Sequence, residues 1–107
     1  MSSFENAEDQ KLATLATSTL KRTGAKQAAA LRDTTGRTYV AISIASPSLN
    51  LDAIQAVFTI AMTSQIAGVE SVVVAGDATG DTSVIFTHSP QATIFHIDQS
   101  GVIAALR

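Results

Sequence analysis

The stretch LDAIQAVFTIAMTSQIAGVESVVVAG, residues 51–76, decides the fold class of this chain. Its first part is apolar at nearly every position and has one charge, Asp52. It therefore predicts a helix that is buried on all sides and runs from a cap at Asn50 to about Ala67. The β-branched run at residues 71–75 is typical of a short strand covered on both faces. A buried helix followed by a buried strand predicts an α/β domain.

A pair of antiparallel strands is predicted directly before this stretch. Residues 27–32 and 37–45 flank a turn at residues 33–36 that has glycine at its last position. Apolar residues occupy alternate positions of the second strand, which predicts one buried face. A right-handed strand-helix-strand crossover then places the strand at 70–75 parallel to the strand at 37–45, in one mixed sheet.

The remaining elements lie towards the two ends of the chain. Residues 7–22 have apolar side chains at helical spacing, and Asn6 is a suitable cap for that helix. Residues 82–89 are compatible with either a short helix or a strand. A second hairpin is predicted from residues 93–97 and 102–106, which flank a polar turn.

The length of the chain, 107 residues, predicts a single domain spanning residues 1–107. The chain is 46% hydrophobic and 15% charged, which argues against an intrinsically disordered protein. Its net charge is −2 and its seven basic residues are scattered, so we expect no binding of nucleic acid. Cysteine is absent, which excludes disulfides and any thiolate ligand for zinc.

The sequence predicts neither a membrane span nor a targeting signal. The most apolar segment, residues 51–69, is interrupted by Asp52, Gln55 and Gln65. The first ten residues are polar and acidic, unlike a secretory signal peptide. We therefore expect a cytoplasmic location and no membrane partner.

The order of these elements and their local sequence resemble the small cytidine deaminases. The segments that carry the resemblance are AAAL at 28–31 before a Thr35-Gly36 turn, YVAISI at 39–44, LDAIQAV at 51–57, Gly68, and SVVVA at 71–75. The resemblance covers residues 7–106. It implies a cytidine deaminase-like α/β domain with a mixed sheet of about five strands and helices packed on it in two or three layers.

The resemblance also implies a chemistry. In that family a His or Cys at the start of the buried helix binds zinc, and a Glu two residues later transfers protons. A Pro-Cys-x-x-Cys turn at the next helix supplies two more ligands, and an Asn and a Glu on the second strand hold the ribose. Zinc lowers the pKa of its bound water to about 7 and thereby generates the nucleophile.

The zinc ligand and the proton-transferring Glu are both replaced in this sequence. Matching Ala56-Val57 to the family's Ala-Ile pair places Leu51 at the first ligand and Ala53 at the Glu. A shift by one residue places Asp52 at the ligand and Ile54 at the Glu. Both alignments leave an aliphatic side chain where the proton must be transferred.

The ribose clamp and the second ligand turn are replaced as well. Ser43 and Ala45 stand at the two ribose-binding positions, and residues 77–92 contain no Cys. We therefore predict that the chain has no catalytic residues and no metal ligands. We also expect that it binds neither zinc, which the resemblance would imply, nor another cofactor.

The sequence also offers an alternative metal site. His88 and His96 are the two imidazoles of the chain, and together with Asp52 they could form a set of two His and one carboxylate. Their spacing matches no known metal motif. We favour a simpler interpretation, in which His88 is a polar loop residue and His96 is a solvent-side strand residue that alternates with Phe95 and Ile97.

Three hypotheses about function remain open. The first is a non-catalytic deaminase-like domain with a structural or interaction role, which forms a dimer or tetramer through the apolar helix at 51–67. The second is a domain that binds a nucleoside-like molecule without converting it, although the sequence does not identify such a ligand. The third is a deaminase with a non-standard metal site. We favour the first, because ligands, proton shuttle and ribose clamp are all replaced.

Overall fold

A computed structural model describes residues 4–106, so residues 1–3 and Arg107 of the predicted domain lie outside the described part of the chain. Within residues 4–106, three helices and seven strands follow one another in nearly the predicted order. They are α1 (Ala7–Thr23), β1 (Gln27–Asp33), β2 (Thr38–Ile42), β3 (Ile44–Ala45), β4 (Asn50–Leu51), α2 (Ala53–Thr63), β5 (Val69–Gly76), α3 (Ser83–His88), β6 (Thr93–Ile97) and β7 (Ile103–Ala105).

Five of the strands form one mixed sheet in the order β2-β1-β5-β6-β7. Strand β1 is antiparallel to both of its neighbours, β2 and β5. Strand β5 is parallel to β6, and β6 forms a hairpin with β7. Strand β5 therefore runs in the same direction as β2, as predicted, although β1 lies between them. The mixed five-stranded sheet confirms the predicted fold class.

Helices cover both faces of this sheet, so the domain has three layers. Helix α1 packs on one face, in a cluster formed by Leu12, Ala13, Ala16, Ala30, Val73 and Ala75. Helices α2 and α3 pack on the other face, around Ile54, Val57 and Ile85. Strand β1 is buried along its whole length, and its three alanines leave room for a helix on either side.

Helix α1 forms where the sequence predicts it and extends one residue further, to Thr23. The Asn6 side chain accepts a hydrogen bond from the backbone N–H of Glu8 and caps the helix. A buried arginine then attaches the helix to the sheet. Arg32 Nη2 lies 2.9 Å from Asp9 Oδ1 and 2.7 Å from Glu70 Oε1. These contacts join α1, β1 and β5.

Helix α2 is shorter at both ends than the sequence analysis predicts. Asn50 does not cap it, because Asn50 and Leu51 form strand β4 and pair with β3. Asp52 is the cap, and it forms a reciprocal capping box with Gln55. The helix ends at Thr63 rather than near Ala67. The predicted helix over 51–67 is therefore an 11-residue helix with a strand before it.

Within a single chain, α2 is not buried on all sides. Ile54 is fully buried, but Ile60 is 44% exposed and Met62 is 40% exposed. Thr59 and Thr63 are exposed too, because the sheet covers only one side of the helix. Among the helices of residues 4–106, none combines the length and apolar character needed to cross a membrane.

Two further elements refine the sequence analysis. The segment at residues 82–89 forms the short helix α3 and not a strand. Strand β2 ends at Ile42, and both of its faces are partly covered. Val40 packs on the α1 side, whereas Tyr39 and Ala41 pack on the α2 side. The prediction of a single buried face is wrong, because a helix lies on either side of the sheet.

Candidate functional site

The start of α2 is the place at which the deaminase resemblance would put the first zinc ligand. Asp52 Oδ1 accepts a hydrogen bond from the backbone N–H of Gln55 at 2.9 Å, which caps the helix. Asp52 Oδ2 accepts a second one from the backbone N–H of Asp81 at 2.9 Å. The carboxylate thus joins the start of α2 to the loop that precedes α3, and both of its oxygens are engaged.

The start of α3 is organised by a second carboxylate. Asp81 Oδ1 accepts hydrogen bonds from the backbone N–H of Ser83, at 3.0 Å, and from the Ser83 hydroxyl. The hydrogen bond from the Ser83 hydroxyl lowers the pKa of the Asp81 carboxyl and keeps it ionised. Each helix therefore begins beside an acidic side chain that is bonded within the protein.

The space between the two helix starts is filled by hydrocarbon. Ile54 is fully buried, in the first turn of α2, and the backbone of Gly80 lies against it. A Cβ atom built on Gly80 would lie 2.8 Å from Ile54 Cδ1 and 3.5 Å from Asp52 Cγ. A side chain at position 80 would therefore collide with Ile54, so the two segments are in direct van der Waals contact.

Gln27 is the residue of this region that the sequence analysis missed. It is the first residue of β1 and is only 3% exposed. Its Oε1 accepts a hydrogen bond from the backbone N–H of Ala53 at 2.8 Å. Its Nε2 donates to the carbonyl of Asp77 at 2.8 Å and to the carbonyl of Thr79. A single polar residue before the apolar run at 28–31 was the only signal in the sequence.

An open cleft of about 460 Å³ lies beside the start of α2. Three of the positions that the resemblance singled out line it, namely Ser43, Ala45 and Leu51. Ala53, the position of the proton-transferring Glu, is fully buried behind them, and its N–H is taken by Gln27. The structure therefore brings the family-equivalent positions together, with small or aliphatic side chains at each of them.

Except for Ser43 and Asp52, the polar residues that line this cleft were not marked by the resemblance. Its lining includes Lys26, Asn50, Asp52 and Asp77. These side chains carry one positive and two negative charges and an amide. They can form hydrogen bonds with a polar ligand, but a carboxylate that already accepts backbone N–H groups, such as Asp52, is a weak candidate for a general base.

The alternative metal set of Asp52, His88 and His96 is not assembled. His88 Nδ1 lies 2.8 Å from Ser89 Oγ, and its ring packs edge-on against Phe58 with centroids 5.4 Å apart. His96 Nε2 donates to the carbonyl of Gly76 at 2.6 Å. No group of three or more His, Cys, Asp or Glu that could hold a metal ion occurs in residues 4–106.

Both histidines also differ from the simple interpretation given above. His88 is the last residue of α3 and not a loop residue. His96 is half-buried and lies on the same face as Ile94, the face covered by α2 and α3, so it is not a solvent-side residue. The His88 ring contacts Ser89 and Phe58, and the His96 ring is hydrogen-bonded to the carbonyl of Gly76.

Zinc does not fit the residues at the starts of α2 and α3. Leu51 offers no donor atom, and both carboxylate oxygens of Asp52 accept backbone N–H groups. The contact between Gly80 and Ile54 occupies the space where ligands from the two helices would meet. A tetrahedral site needs at least three protein ligands, and this region does not provide them.

Comparison with known proteins agrees with the fold. No curated protein matches the chain. A family model described as cytidine deaminase-like matches residues 5–101, which is most of the chain. The match covers α1 through the turn after β6, and therefore both helix starts and the cleft beside them. The chain belongs to the cytidine deaminase-like family.

Proposed function

We propose that this domain does not deaminate nucleosides and serves as an interaction domain that assembles with itself. The observation that carries the proposal is the filled space between α2 and α3. In a deaminase, zinc-bound water and a proton-transferring carboxylate must meet the base at this place. Here Ile54 contacts Gly80, and Asp52 is bonded to Asp81.

The loss of the acid-base group supports the same conclusion independently of the metal. General acid-base catalysis typically contributes a factor of about 10²–10⁴ to a rate. Ala53 is aliphatic and buried, and its neighbour Ile54 is aliphatic and buried as well. Both alignments of the family motif therefore leave the reaction without a proton shuttle.

The surface of α2 supports assembly with a second copy. Residues 53–69 are seventeen consecutive residues without an Asp, Glu, Lys, Arg or His. The two threonine hydroxyls on the exposed side of this helix are hydrogen-bonded to the helix backbone. The Thr59 hydroxyl donates to the carbonyl of Gln55, and the Thr63 hydroxyl donates to the carbonyl of Ile60. Their methyl groups remain for contact, so covering this surface costs little desolvation of polar groups.

The buried part of α2 cannot take part in such an interface. Ile54 faces the core, and Phe58 is half-buried against His88. The apolar side chains available to a partner on this helix are Ile60 and Met62. A two-fold dimer would cover them on both copies at once, which is the commonest solution for a soluble protein.

Three measurements test the proposal. Elemental analysis of protein purified without chelators should find no stoichiometric zinc, and an absorbance assay with micromolar protein should find no conversion of cytidine or deoxycytidine. Light scattering should give a mass of at least two chains of 11.1 kDa. One zinc per chain, or turnover that His88→Ala abolishes, would contradict the non-catalytic assignment, and a monomeric mass would contradict self-assembly.

A nucleoside-binding role is the second candidate, and the open cleft beside α2 favours it. The cleft of about 460 Å³ has a Ser43 hydroxyl and an Asn50 amide on its walls. These groups can form hydrogen bonds with sugar hydroxyls or base edges. Cytidine and uridine should then raise the melting temperature of the wild-type protein but not that of Asn50→Leu. Absence of any saturable shift with either nucleoside would remove this candidate.

A further inference from the structure

A second cleft lies on the opposite face of the sheet, beside the C-terminal end of α1. Its volume is about 690 Å³, within the range of about 300–1,000 Å³ that is usual for small-molecule sites. One wall comes from the last turns of α1 and the connection to β1. The other wall comes from the ends of β5 and β6 and the residues that follow them.

The position of this cleft in the sheet is one at which ligands are commonly bound. Strands β5 and β6 run parallel, and they end at Gly76 and Ile97, both of which line the cleft. In α/β sheets, ligands bind in the crevice outside the carboxyl ends of parallel strands. This cleft is distinct from the one beside α2, although Lys26 and Asp77 lie between the two and line both.

Charges of opposite sign line the two walls. Lys21 and Lys26 belong to the α1 side, and Asp77 and Asp98 follow the strand ends. Within residues 4–106 these four side chains form no ion pair with one another. The ion pairs of the described chain are Lys11–Glu8, Arg32–Asp9, Arg32–Glu70 and Arg37–Asp33. Two cations and two anions thus face one cleft without neutralising each other directly.

Apart from Thr17 and Gln99, the uncharged residues that line this cleft are apolar. They include Leu20, Ala75 and Ile97, and none of these three offers a side-chain hydrogen bond. A ligand that matches this cleft needs an apolar body with a negative and a positive group at its ends. A purely anionic ligand would be repelled by Asp77 and Asp98, and a purely cationic one by the two lysines.

We propose that this cleft binds a small zwitterion with an apolar side chain, of the class of free apolar α-amino acids. The ligand's carboxylate lies towards Lys21 and Lys26, and its ammonium lies towards Asp77 and Asp98. The apolar side chain of the ligand contacts Leu20 and Ile97. Charge-assisted hydrogen bonds at both ends give the specificity, and the apolar contact adds affinity. The site does not depend on the proposed non-catalytic role, although it shares Lys26 and Asp77 with the cleft beside α2.

Titration with L-leucine and L-phenylalanine, followed by amide NMR of the full chain, tests the proposal. Saturable shifts are expected at Leu20 and Gln99, which line only this cleft, and not at Ser43 and Asn50, which line only the other. Leucinamide and N-acetyl-leucine, which each lack one charge, should bind at least about tenfold more weakly. No saturable shift, binding of either blocked compound as tightly as leucine, or shifts only at Ser43 and Asn50 would overturn it.

Two pairs of variants localise the site. Lys21→Gln removes one cation from the wall and should weaken leucine binding about tenfold, whereas Lys11→Gln, on the same helix outside the cleft, should not change it. Ala25→Trp should block the cleft, and Ala67→Trp serves as its control at an exposed position. Binding that survives both Lys21→Gln and Ala25→Trp unchanged, in proteins with native amide spectra, would refute the assignment.

Discussion

Gln27 joins three chain segments through one side-chain amide. Its Oε1 accepts from Ala53 at the start of α2, and its Nε2 donates to the carbonyls of Asp77 and Thr79. The amide is almost completely buried, so water cannot replace these bonds if they are lost. It therefore holds the start of α2 against the loop that follows β5.

Replacing Gln27 by leucine should lower the free energy of unfolding by about 2–4 kcal/mol. The substitution keeps the volume but leaves the N–H of Ala53 and two carbonyls without a partner. Chemical denaturation measures the change, and Gln91→Leu is the control because Gln91 is exposed. An unchanged denaturation midpoint for Gln27→Leu would mean that the amide contributes no stability.

Asp33 should make the free energy of unfolding of the domain depend on pH. Burial by itself would raise the pKa of its carboxyl, but hydrogen bonds from the Thr35 hydroxyl and from the backbone N–H groups of Arg37 and Thr35 lower it below its usual value. A depressed pKa stabilises the folded state above the unfolded pKa of about 3.9, and this contribution is lost as the pH falls through the folded value.

The Asp33→Asn variant isolates that contribution from those of the other carboxylates. It should be less stable than wild type at pH 7, and the difference should shrink as the pH falls below about 4. Denaturation at a series of pH values measures both proteins. A difference that stays constant over the whole series would show that the Asp33 carboxylate is not stabilised by its turn.

At the level of secondary-structure elements, the end of β5 is fixed by close contact with the connection between α1 and β1. Gly76 has a φ of +92°, and a Cβ atom at this position would lie 2.3 Å from the carbonyl oxygen of Lys26. Gly101, in the turn between β6 and β7, has a similar φ of +86°, but nothing lies within 4 Å of its Cβ position. A substitution at Gly101 therefore costs only backbone strain, whereas one at Gly76 costs both backbone strain and a steric clash.

Gly76→Ala should destabilise the domain by at least about 2 kcal/mol more than Gly101→Ala does. Both variants must adopt a left-handed backbone at a cost of about 1–3 kcal/mol, and only the first must also displace the Lys26 carbonyl. The denaturation midpoints of the two variants give the difference directly. Equal midpoints would mean that the contact at Gly76 relaxes without cost.

Most of the elements could be predicted from sequence because their signals are local. Helix α1 has a cap, a stripe of apolar residues and a glycine after its end, and the hairpins have turn residues between alternating strands. The start of α2 was misplaced because Asn50 and Asp52 are both good caps. Only the pairing of Asn50-Leu51 with Ile44-Ala45 separates the two, and that pairing depends on tertiary structure.

The positions of the candidate site could be named from the resemblance, but the contacts around them could not. The resemblance alone identified Leu51, Ala53, Ser43 and Ala45, because those positions are defined by distance along the chain. Gln27 is joined to segments 26 to 52 residues away, and no local pattern reports such a contact. The role of its buried amide follows only from the folded structure, in which β1, α2 and the loop after β5 lie together.

At the scale of the whole molecule, the proposed self-assembly through α2 has a direct test. Ile60→Lys combined with Met62→Lys places two charges on the exposed surface of the helix and should give a protein with the mass of one chain. Val102→Lys is the control, since Val102 is 49% exposed in the turn between β6 and β7. Light scattering measures all three proteins. A double variant that remains folded with the wild-type mass would place the interface elsewhere.

The position of β1 in the sheet has a consequence for synthesis on the ribosome. Its partner β2 follows it after a short turn, but its other partner, β5, follows only after α2 has been made. Until then the nascent chain presents an open, alanine-rich strand edge with unpaired N–H and C=O groups. Such edges template pairing between chains, so a translation pause before Val69 would expose this protein to aggregation that the finished domain avoids.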